Sequence, residues 1–190
     1  MQISGIMGGA RKVVRILARV KPGEKVAIVA DTDTMAVAEA LAIAALEITP
    51  EVVTTVMTPV EVDGAEPPAI VGAAMNTADV ALLPVSYSIS HSTATRKALE
   101  KGTRVLSLPA TTPDQLVRGG AEADFEAASP KVRKMAEWLG KASTAHLTTP
   151  RGTDCRFQMS GRPGNAHDCI LDRPGKFSAF PNIEANTSPV

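Results

Sequence analysis

Residues 25–48, KVAIVADTDTMAVAEALAIAALEI, contain a strand followed directly by a helix. The first part, Lys25–Ala30, is a nearly continuous apolar run that ends at Asp31, which is typical of a strand buried on both faces of a parallel sheet. The second part, Met35–Ile48, is rich in alanine, the strongest helix former, and the polar residues before it can cap its start. We therefore predict a strand–helix unit of the kind that builds α/β domains.

The same alternation continues on both sides of this unit. Runs of apolar, β-branched residues predict further strands, and apolar residues that recur every three or four positions predict the helices between them. The predicted strands are VVTTVM at 52–57, VALLP at 80–84 and RVLSL at 104–108, and the predicted helices are residues 10–20, 67–75, 93–101, 111–118 and 130–139. Strict alternation implies right-handed crossovers and a parallel sheet flanked by helices. We assign residues 1–142 to this Rossmann-like α/β domain.

Beyond residue 142 the helical period is lost. Residues 145–149 and 154–159 read as short strands, and the stretch from there to Val190 is rich in glycine and proline. A long structureless tail would be unusual in a compact domain. We therefore interpret residues 143–190 as an incomplete β-rich segment, with hairpins that lack their partner strands, which begins a second domain.

The composition excludes several classes of partner. The chain is 44% hydrophobic and 21% charged with a formal net charge of zero, so it lacks the basic excess that binding to nucleic acid requires. No apolar run reaches the roughly 18–20 residues that span a bilayer, and the N-terminus lacks the pattern of a signal peptide. Two cysteines, Cys155 and Cys169, are too few for a disulfide scaffold. We expect a cytoplasmic protein with reduced thiols that binds neither nucleic acid nor membrane.

Polar loops at the carboxyl ends of the strands are the first candidates for a site, because open parallel sheets bind ligands there. The loop after the third predicted strand carries Ser90, His91 and Ser92, whose side chains are candidates for substrate binding. Ser92 also stands directly before a predicted helix, Asp33 and Thr112 lie close to the starts of two others, and the same residue types serve as N-caps. A purely structural role is therefore the alternative. Neither a P-loop nor a dinucleotide-binding glycine pattern occurs in its required context.

The second segment holds several residues of metal-ligand type, but in no compact ligand motif. They are His146, Asp154, His167, Asp168, Cys169, Asp172 and Glu184. A lone carboxylate is usually solvated or forms a turn, whereas a hydrolytic metal site needs several converging ligands and an open position for water. Spacing alone therefore assigns no metal to these residues.

Short motifs along the chain resemble the metallo-aminopeptidase family of the aminopeptidase T type. In the second segment they are Thr149–Asp154 (TPRGTD), Gly161-Arg162, and Pro181–Pro189 (PNIEANTSP), which fits P-x-x-E-x-x-T-x-P. In the first domain, residues 90–96 (SHSTATR) and 101–104 (KGTR) are similar to the same family and to its offshoot, the 2,5-dihydroxypyridine dioxygenases. The resemblance is spread over most of the chain and implies the N-terminal α/β domain of a metal-dependent enzyme.

The resemblance further implies a divalent metal, which would be zinc, cobalt, manganese or iron. In the aminopeptidases the glutamate of P-x-x-E-x-x-T-x-P is a ligand of a two-metal site, which corresponds to Glu184 here, and the other ligands lie in the part of the fold that follows. The dioxygenases bind one iron through residues of that later half and do not keep the glutamate. Glu184 therefore favours a hydrolase, whose metal this chain would not bind alone.

Three functions follow as expectations. The leading one is the N-terminal portion of an aminopeptidase-like, metal-dependent hydrolase acting on a peptide or small molecule, with Glu184 on the metal and with Ser90, His91, Ser92 and Asp154 near the substrate. One alternative is a ring-cleaving iron dioxygenase for a small hydroxylated aromatic or pyridine, and the other is a non-catalytic binding subunit. We also expect a homo-oligomer, with a second chain as one way to supply the C-terminal half.

Overall fold

A computed structural model describes residues 5–188 of the chain. The chain divides into two compact units. Unit 1 comprises the residues up to 123 together with Cys169–Asn182, and unit 2 comprises Asp124–Asp168 together with the residues from 183 onward.

The elements alternate as predicted in the first part of the chain and become short strands in the second. Among residues 5–188 the helices are α1 (Met7–Lys12, continued by a π-helical turn, Val13–Leu17), α2 (Met35–Leu46), α3 (Ala69–Thr77), α4 (Thr93–Glu100) and α5 (Phe125–Lys141), with 3₁₀ turns at Asp114–Leu116 and Gly119–Glu122. The strands are β1 (Val26–Asp31), β2 (Val52–Met57), β3 (Val80–Leu83), β4 (Arg104–Ser107), β5 (Thr144–Thr148), β6 (Asp154–Gln158), β7 (Asn165–His167), β8 (Phe177–Ala179) and β9 (Glu184–Asn186).

Unit 1 is built on a five-stranded parallel sheet with the strand order β2-β1-β3-β4-β8. From β1 the chain crosses to β2 on one side, and from β3 it crosses to β4 on the other. The loops after β1 and β3 therefore lead away from each other, and a crevice is expected between them at the carboxyl edge. The predicted parallel sheet flanked by helices and followed by short antiparallel strands is confirmed.

The core of unit 1 consists of aliphatic and other small side chains, as expected from a chain with only 3% aromatic residues. One face of the sheet packs against α3 and α4 through a buried cluster made of Val29, Met57, Val71, Met75, Ala81, Leu83, Val85, Ile89, Ala98 and Val105. Successive side chains of a strand alternate between faces, so the fully buried Ile28, Leu82 and Leu106 belong to the opposite face. Close packing on both faces explains why β1, β3 and β4 are buried along their whole lengths.

The division into units differs from the predicted boundary at residue 142. Strand β8 pairs with β4 as the fifth strand of the main sheet, so residues 169–182 belong to unit 1. Helix α5 contacts β7 and β9 and is grouped with unit 2. The interpretation of the tail as hairpins without partner strands is wrong in this respect, because β8 completes the sheet, β5 pairs with β6 and β7 pairs with β9.

Two predicted helices also differ from the structure. Helix α5 begins at Phe125 and not at Pro130, because the Asp124 side chain caps it by accepting a hydrogen bond of 2.9 Å from the N–H of Ala127. The helix predicted over 111–118 is reduced to a 3₁₀ turn. The side chain of Cys155 is exposed, and that of Cys169 is buried. None of the helices in the described part of the chain is long and apolar enough to cross a bilayer.

Candidate functional site

The buried carboxylate of Asp31 joins the loops after β1 and β3 at the carboxyl edge of the sheet. It accepts hydrogen bonds from the N–H of Ser86 at 2.5 Å, from Ser86 Oγ at 3.0 Å and from the N–H of Asp33 at 3.1 Å. A carboxylate buried without a cation needs such donors to offset the loss of hydration. Asp31 therefore fixes the geometry of this edge, because its carboxylate joins two loops that are distant in sequence.

Two serine hydroxyls of the β3–α4 loop and one at the end of β4 form a hydrogen-bonded row. Ser88 Oγ donates to Ser90 Oγ at 2.7 Å, and Ser90 Oγ donates to Ser107 Oγ at the buried end of β4, at 2.8 Å. The N–H of Ser88 donates to the Asp63 carboxylate at 2.6 Å. The hydroxyl of Ser90, a predicted substrate-binding residue, is thus engaged in holding the loop against the sheet.

Ser92 and His91, the other two residues predicted in this loop, have different environments. Ser92 is 1% exposed and is the N-cap of α4, where its Oγ accepts a hydrogen bond of 3.1 Å from the N–H of Thr95. Ser92 is therefore an N-cap, as its position before the helix predicts. The imidazole of His91 is exposed and makes no hydrogen bond to any residue in the described part of the chain. Of the three, His91 is the one that is exposed, whereas Ser90 is half-buried and Ser92 is buried.

The other two capping predictions have opposite outcomes. Thr112 Oγ1 accepts from the N–H of Gln115 at 3.3 Å, and Gln115 Oε1 accepts from the N–H of Thr112 at 2.9 Å, which is a reciprocal capping box. Asp33 is exposed and does not cap α2, because the N-cap position is occupied by Thr34. The sequence thus predicts the cap of α2 only to within one residue, because the turn before the helix places Thr34 and not Asp33 at the N-cap position.

A second carboxylate, Glu66, holds the start of α4 and had no signal in the sequence. It accepts hydrogen bonds from the N–H of Thr93 and, at 3.2 Å, from the N–H of Ala94. The Thr93 N–H is the main cause of a pKa for Glu66 below its ordinary value of 4.5. Glu66 thus anchors the turn that follows His91, and it lies too far away along the chain for a local pattern to reveal this.

Replacement of Glu66 by glutamine is expected to loosen the first turn of α4 and to remove a pH dependence. Because the folded-state pKa is depressed, the stabilisation by Glu66 is fully present above about pH 4.5, the ordinary carboxyl value, and is lost as the pH falls through the lower folded pKa. Amide hydrogen exchange at Thr93 and Ala94, followed from neutral to acidic pH, measures the effect. An unchanged pH profile in Glu66→Gln, matching that of the exposed control Glu39→Gln, would contradict the assignment.

Asp154, a predicted substrate contact, lies on the β5–β6 hairpin of unit 2. Its side chain is 70% exposed, and Oδ1 lies 2.7 Å from Nε2 of His146. The hairpin register pairs His146 with Arg156, so these residues share one face with Asp154. Gly152, with φ of 99°, makes the preceding turn in a conformation that favours glycine. The G-T-D motif therefore places a hydrogen-bonded aspartate–histidine pair on an exposed strand face.

Glu184, the predicted metal ligand, is exposed on β9 of unit 2. The register places it directly opposite His167 on β7, and its Oε1 accepts a hydrogen bond of 2.9 Å from Asn186 Nδ2. The structure thus brings two residues of ligand type side by side. Within residues 5–188, however, no three His, Cys, Asp or Glu side chains are grouped so that they could hold a metal ion. The described residues by themselves do not fit an iron or a two-metal site.

Comparison with known proteins gives a family match and two structural neighbours. Residues 10–190 match the sequence model described as NicX: 2,5-dihydroxypyridine 5,6-dioxygenase. No curated protein sequence matches. A 2,5-dihydroxypyridine dioxygenase from Pseudomonas putida has a TM-score of 0.81 at 18% identity, and wild-type AmpT from Thermus thermophilus has 0.67 at 14%.

These structures are longer than the present chain. The alignments cover 100% and 98% of this chain, but 57% of the dioxygenase and 62% of AmpT. The chain therefore spans less than two thirds of the length of either neighbour. At such low identities the likeness shows the fold.

Proposed function

Because the chain belongs to the NicX family of 2,5-dihydroxypyridine 5,6-dioxygenases, we propose that it is the α/β portion of an enzyme that cleaves the ring of a small hydroxylated aromatic or pyridine. The observation that carries this proposal is the family match over residues 10–190, and the fold shared with the Pseudomonas putida dioxygenase supports it. The motif around Glu184 favours a hydrolase. The comparisons support the dioxygenase alternative better.

In this proposal the β3–α4 loop presents His91 to the substrate. The exposed imidazole can exchange hydrogen bonds with a ring hydroxyl, and its two ring nitrogens can accept or donate that proton. Ser90 and Ser92 position the loop, the first through Ser107 and the second as the cap of α4. Considered on unit 2 by itself, Asp154 stays a proposed substrate contact, and its carboxylate is paired with His146.

A divalent metal is part of the proposal, with iron expected for a dioxygenase. Iron supplies the centre at which oxygen can react with an electron-rich ring. Since residues 5–188 do not fit such a site, we assign no step of the oxygen chemistry to them. We propose that the ligands come from the part of the fold that both neighbours have in addition, carried on the same polypeptide or on a second chain.

Aminopeptidase-like hydrolysis remains a second candidate, favoured by Glu184 itself. The residue lies in the P-x-x-E-x-x-T-x-P segment, is exposed, and faces His167 across the β7–β9 pair. The fold shared with AmpT supports this candidate in outline. A non-catalytic binding subunit is the third candidate, for which neither oxygen uptake nor amine release is expected in the assays below.

The test of the main proposal is oxygen consumption by the purified full-length protein loaded with Fe²⁺. We expect uptake of one O₂ for each 2,5-dihydroxypyridine consumed, with loss of the ring absorption. His91→Asn should lower the rate by about 10²-fold or more, the usual contribution of a general acid–base group. The control is Lys97→Gln, an exposed residue of α4 that is not proposed to contact substrate or to hold the loop. Absence of oxygen uptake with release of amines from aminoacyl anilides in the presence of zinc, cobalt or manganese would overturn the proposal in favour of the hydrolase.

Glu184→Gln separates the two enzymatic candidates. If Glu184 is a metal ligand, metal content and activity should fall by at least about 100-fold, because even outer partners of metal ligands contribute 10–100-fold. The dioxygenase proposal expects iron content and rate close to those of the control Glu39→Gln, an exposed glutamate on α2. Metal analysis reads out the difference independently of activity.

Partners and location are proposed on the same basis. We propose a homo-oligomer, to be measured as native mass, and an intact mass will show whether the remaining part of the fold is on this polypeptide. We also propose a cytoplasmic location, in keeping with a chain that has too few cysteines for a disulfide scaffold.

A further inference from the structure

A cavity of about 250 Å³ lies at the carboxyl edge of the sheet in unit 1, and His91 is not among the residues that line it. It is lined by residues of the loops after β1, β3 and β4, which is where the strand order of an open sheet predicts a ligand site. The polar residues of its lining are Asp33, Thr34, Ser86, Thr111 and Thr112. The volume suits a ligand of a few heavy atoms.

Thr111 contributes a buried hydroxyl without a hydrogen-bond partner. The residue is only 6% exposed, and its Oγ1 bonds to no residue in the described part of the chain. Among residues 5–188, the side-chain polar atoms that are fully buried and lack a hydrogen-bond partner are Asn76 Oδ1 and Ser178 Oγ. Thr111 Oγ1 is not one of them, so it is open to the cavity that Thr111 lines. A nearly buried hydroxyl is costly to leave unpaired and gains most from a ligand that pairs it.

The first turn of α2 supplies further donors at the same cavity. Its N-cap, Thr34, does not cap with its side chain, because Thr34 Oγ1 instead accepts from the N–H of Asp31 at 3.1 Å and donates to the carbonyl of Pro84 at 2.6 Å. The N–H groups of Met35 and Ala36 consequently have no partner in the described part of the chain, and Ala36 lines the cavity. The start of a 12-residue helix carries a partial positive charge from its aligned peptide dipoles. These groups together favour an anionic oxygen.

The charges around the cavity narrow the class of ligand. No lysine, arginine or histidine of the described chain lines it, so a phosphate dianion would lack a countercharge. The carboxylate of Asp31 nearby is already bonded to Ser86 and to the N–H of Asp33, and its negative charge also disfavours a dianion. The exposed carboxylate of Asp33 lines the cavity and can accept a hydrogen bond from a hydroxyl or ammonium group.

We propose that this cavity binds a small monocarboxylate that carries a hydroxyl or ammonium group on the adjacent carbon. The carboxylate meets the α2 N-terminus and Thr111 Oγ1, and the hydroxyl or ammonium group meets Asp33. The site lies within unit 1 and does not depend on the proposed ring-cleavage activity, so either can fail without the other.

The test is a titration of the ¹⁵N-labelled protein with acetate, glycolate, glycine and inorganic phosphate, followed through the amide signals of Met35, Ala36 and Thr112. We expect saturable shifts with glycolate and glycine, weaker binding of acetate and none of phosphate. Thr111→Val removes the hydroxyl at nearly constant volume. It should weaken the binding of glycolate and glycine about fivefold to tenfold, the usual contribution of one hydrogen bond. The control Thr54→Val, at an exposed position of β2, should leave the affinities for glycolate and glycine unchanged.

A second variant keeps the proposal testable if Thr111→Val does not fold. Asp33 is exposed, so Asp33→Asn should fold normally. It should lower the affinity for glycine at least fivefold while changing the affinity for acetate by less than twofold. Absence of saturation by glycolate and glycine at tens of millimolar would overturn the proposal. So would equal binding of phosphate, or shifts that are the same in Thr111→Val, Asp33→Asn and the wild-type protein.

Discussion

Alanine at position 9 is expected to destabilise unit 1 by about 3 kcal/mol or more, the upper range for overpacking a filled interior. A Cβ at Gly9 would lie 1.8 Å from the carbonyl oxygen of Leu116 and 2.6 Å from its carbonyl carbon. Both are backbone atoms, which cannot rotate away as a flexible side chain can. Helix α1 therefore approaches the Asp114–Leu116 turn as closely as it does only because residue 9 has no side chain.

The preceding residue of the same helix provides the matched control. A Cβ at Gly8 would meet nothing within 4 Å, so Gly8→Ala should be neutral or should stabilise by about 0.5–1 kcal/mol through higher helix propensity. Urea unfolding followed by far-ultraviolet circular dichroism measures both variants. Equal midpoints for Gly8→Ala and Gly9→Ala would show that the contact between α1 and Leu116 is not close-packed in solution.

Replacement of Arg104 by methionine is expected to cost about 3–5 kcal/mol, the range found when one partner of a buried ion pair is removed. The Arg104 side chain is 8% exposed, and one of its nitrogens lies 2.5 Å from Glu24 Oε2. Its other terminal nitrogen donates to the carbonyls of Ala18, Arg19 and Leu171 at 3.0, 3.2 and 3.4 Å. Methionine keeps the apolar stem but removes the guanidinium from these carbonyls and from the Glu24 carboxylate, which keeps only the N–H of Lys21 as a donor.

Two further variants separate the burial of Arg104 from the loss of a positive charge. Arg118 is 71% exposed and lies 3.4 Å from Asp114, so Arg118→Met should change the free energy of unfolding by less than about 1 kcal/mol. Glu24→Gln combined with Arg104→Met should be less destabilising than the sum of the single variants, because the double variant no longer leaves a carboxylate unpaired. A small effect of Arg104→Met in urea unfolding, similar to that of Arg118→Met, would contradict this account.

The candidate site could be predicted only in part, and the individual residues show why. The cap at Ser92 follows from its position before a helix, and the structure has it there. The hydrogen bonds of Asp31 with Ser86, and of Glu66 with Thr93, join residues far apart along the chain and leave no local pattern. Glu184 was chosen from a motif, and only the β7–β9 register shows that His167 stands opposite it.

By itself, the sequence determined those parts of the fold in which neighbouring residues carry the information. The apolar run of β1 with the alanine-rich α2, and the β-branched strand Val52–Met57, have the predicted type and nearly the predicted bounds, because burial on both faces and helix propensity act over consecutive residues. Only the tertiary structure decided that β8 joins the main sheet and that α5 is grouped with unit 2. A strand of three residues has no measurable period, and its pairing with β4 depends on contacts between segments that are distant in the chain.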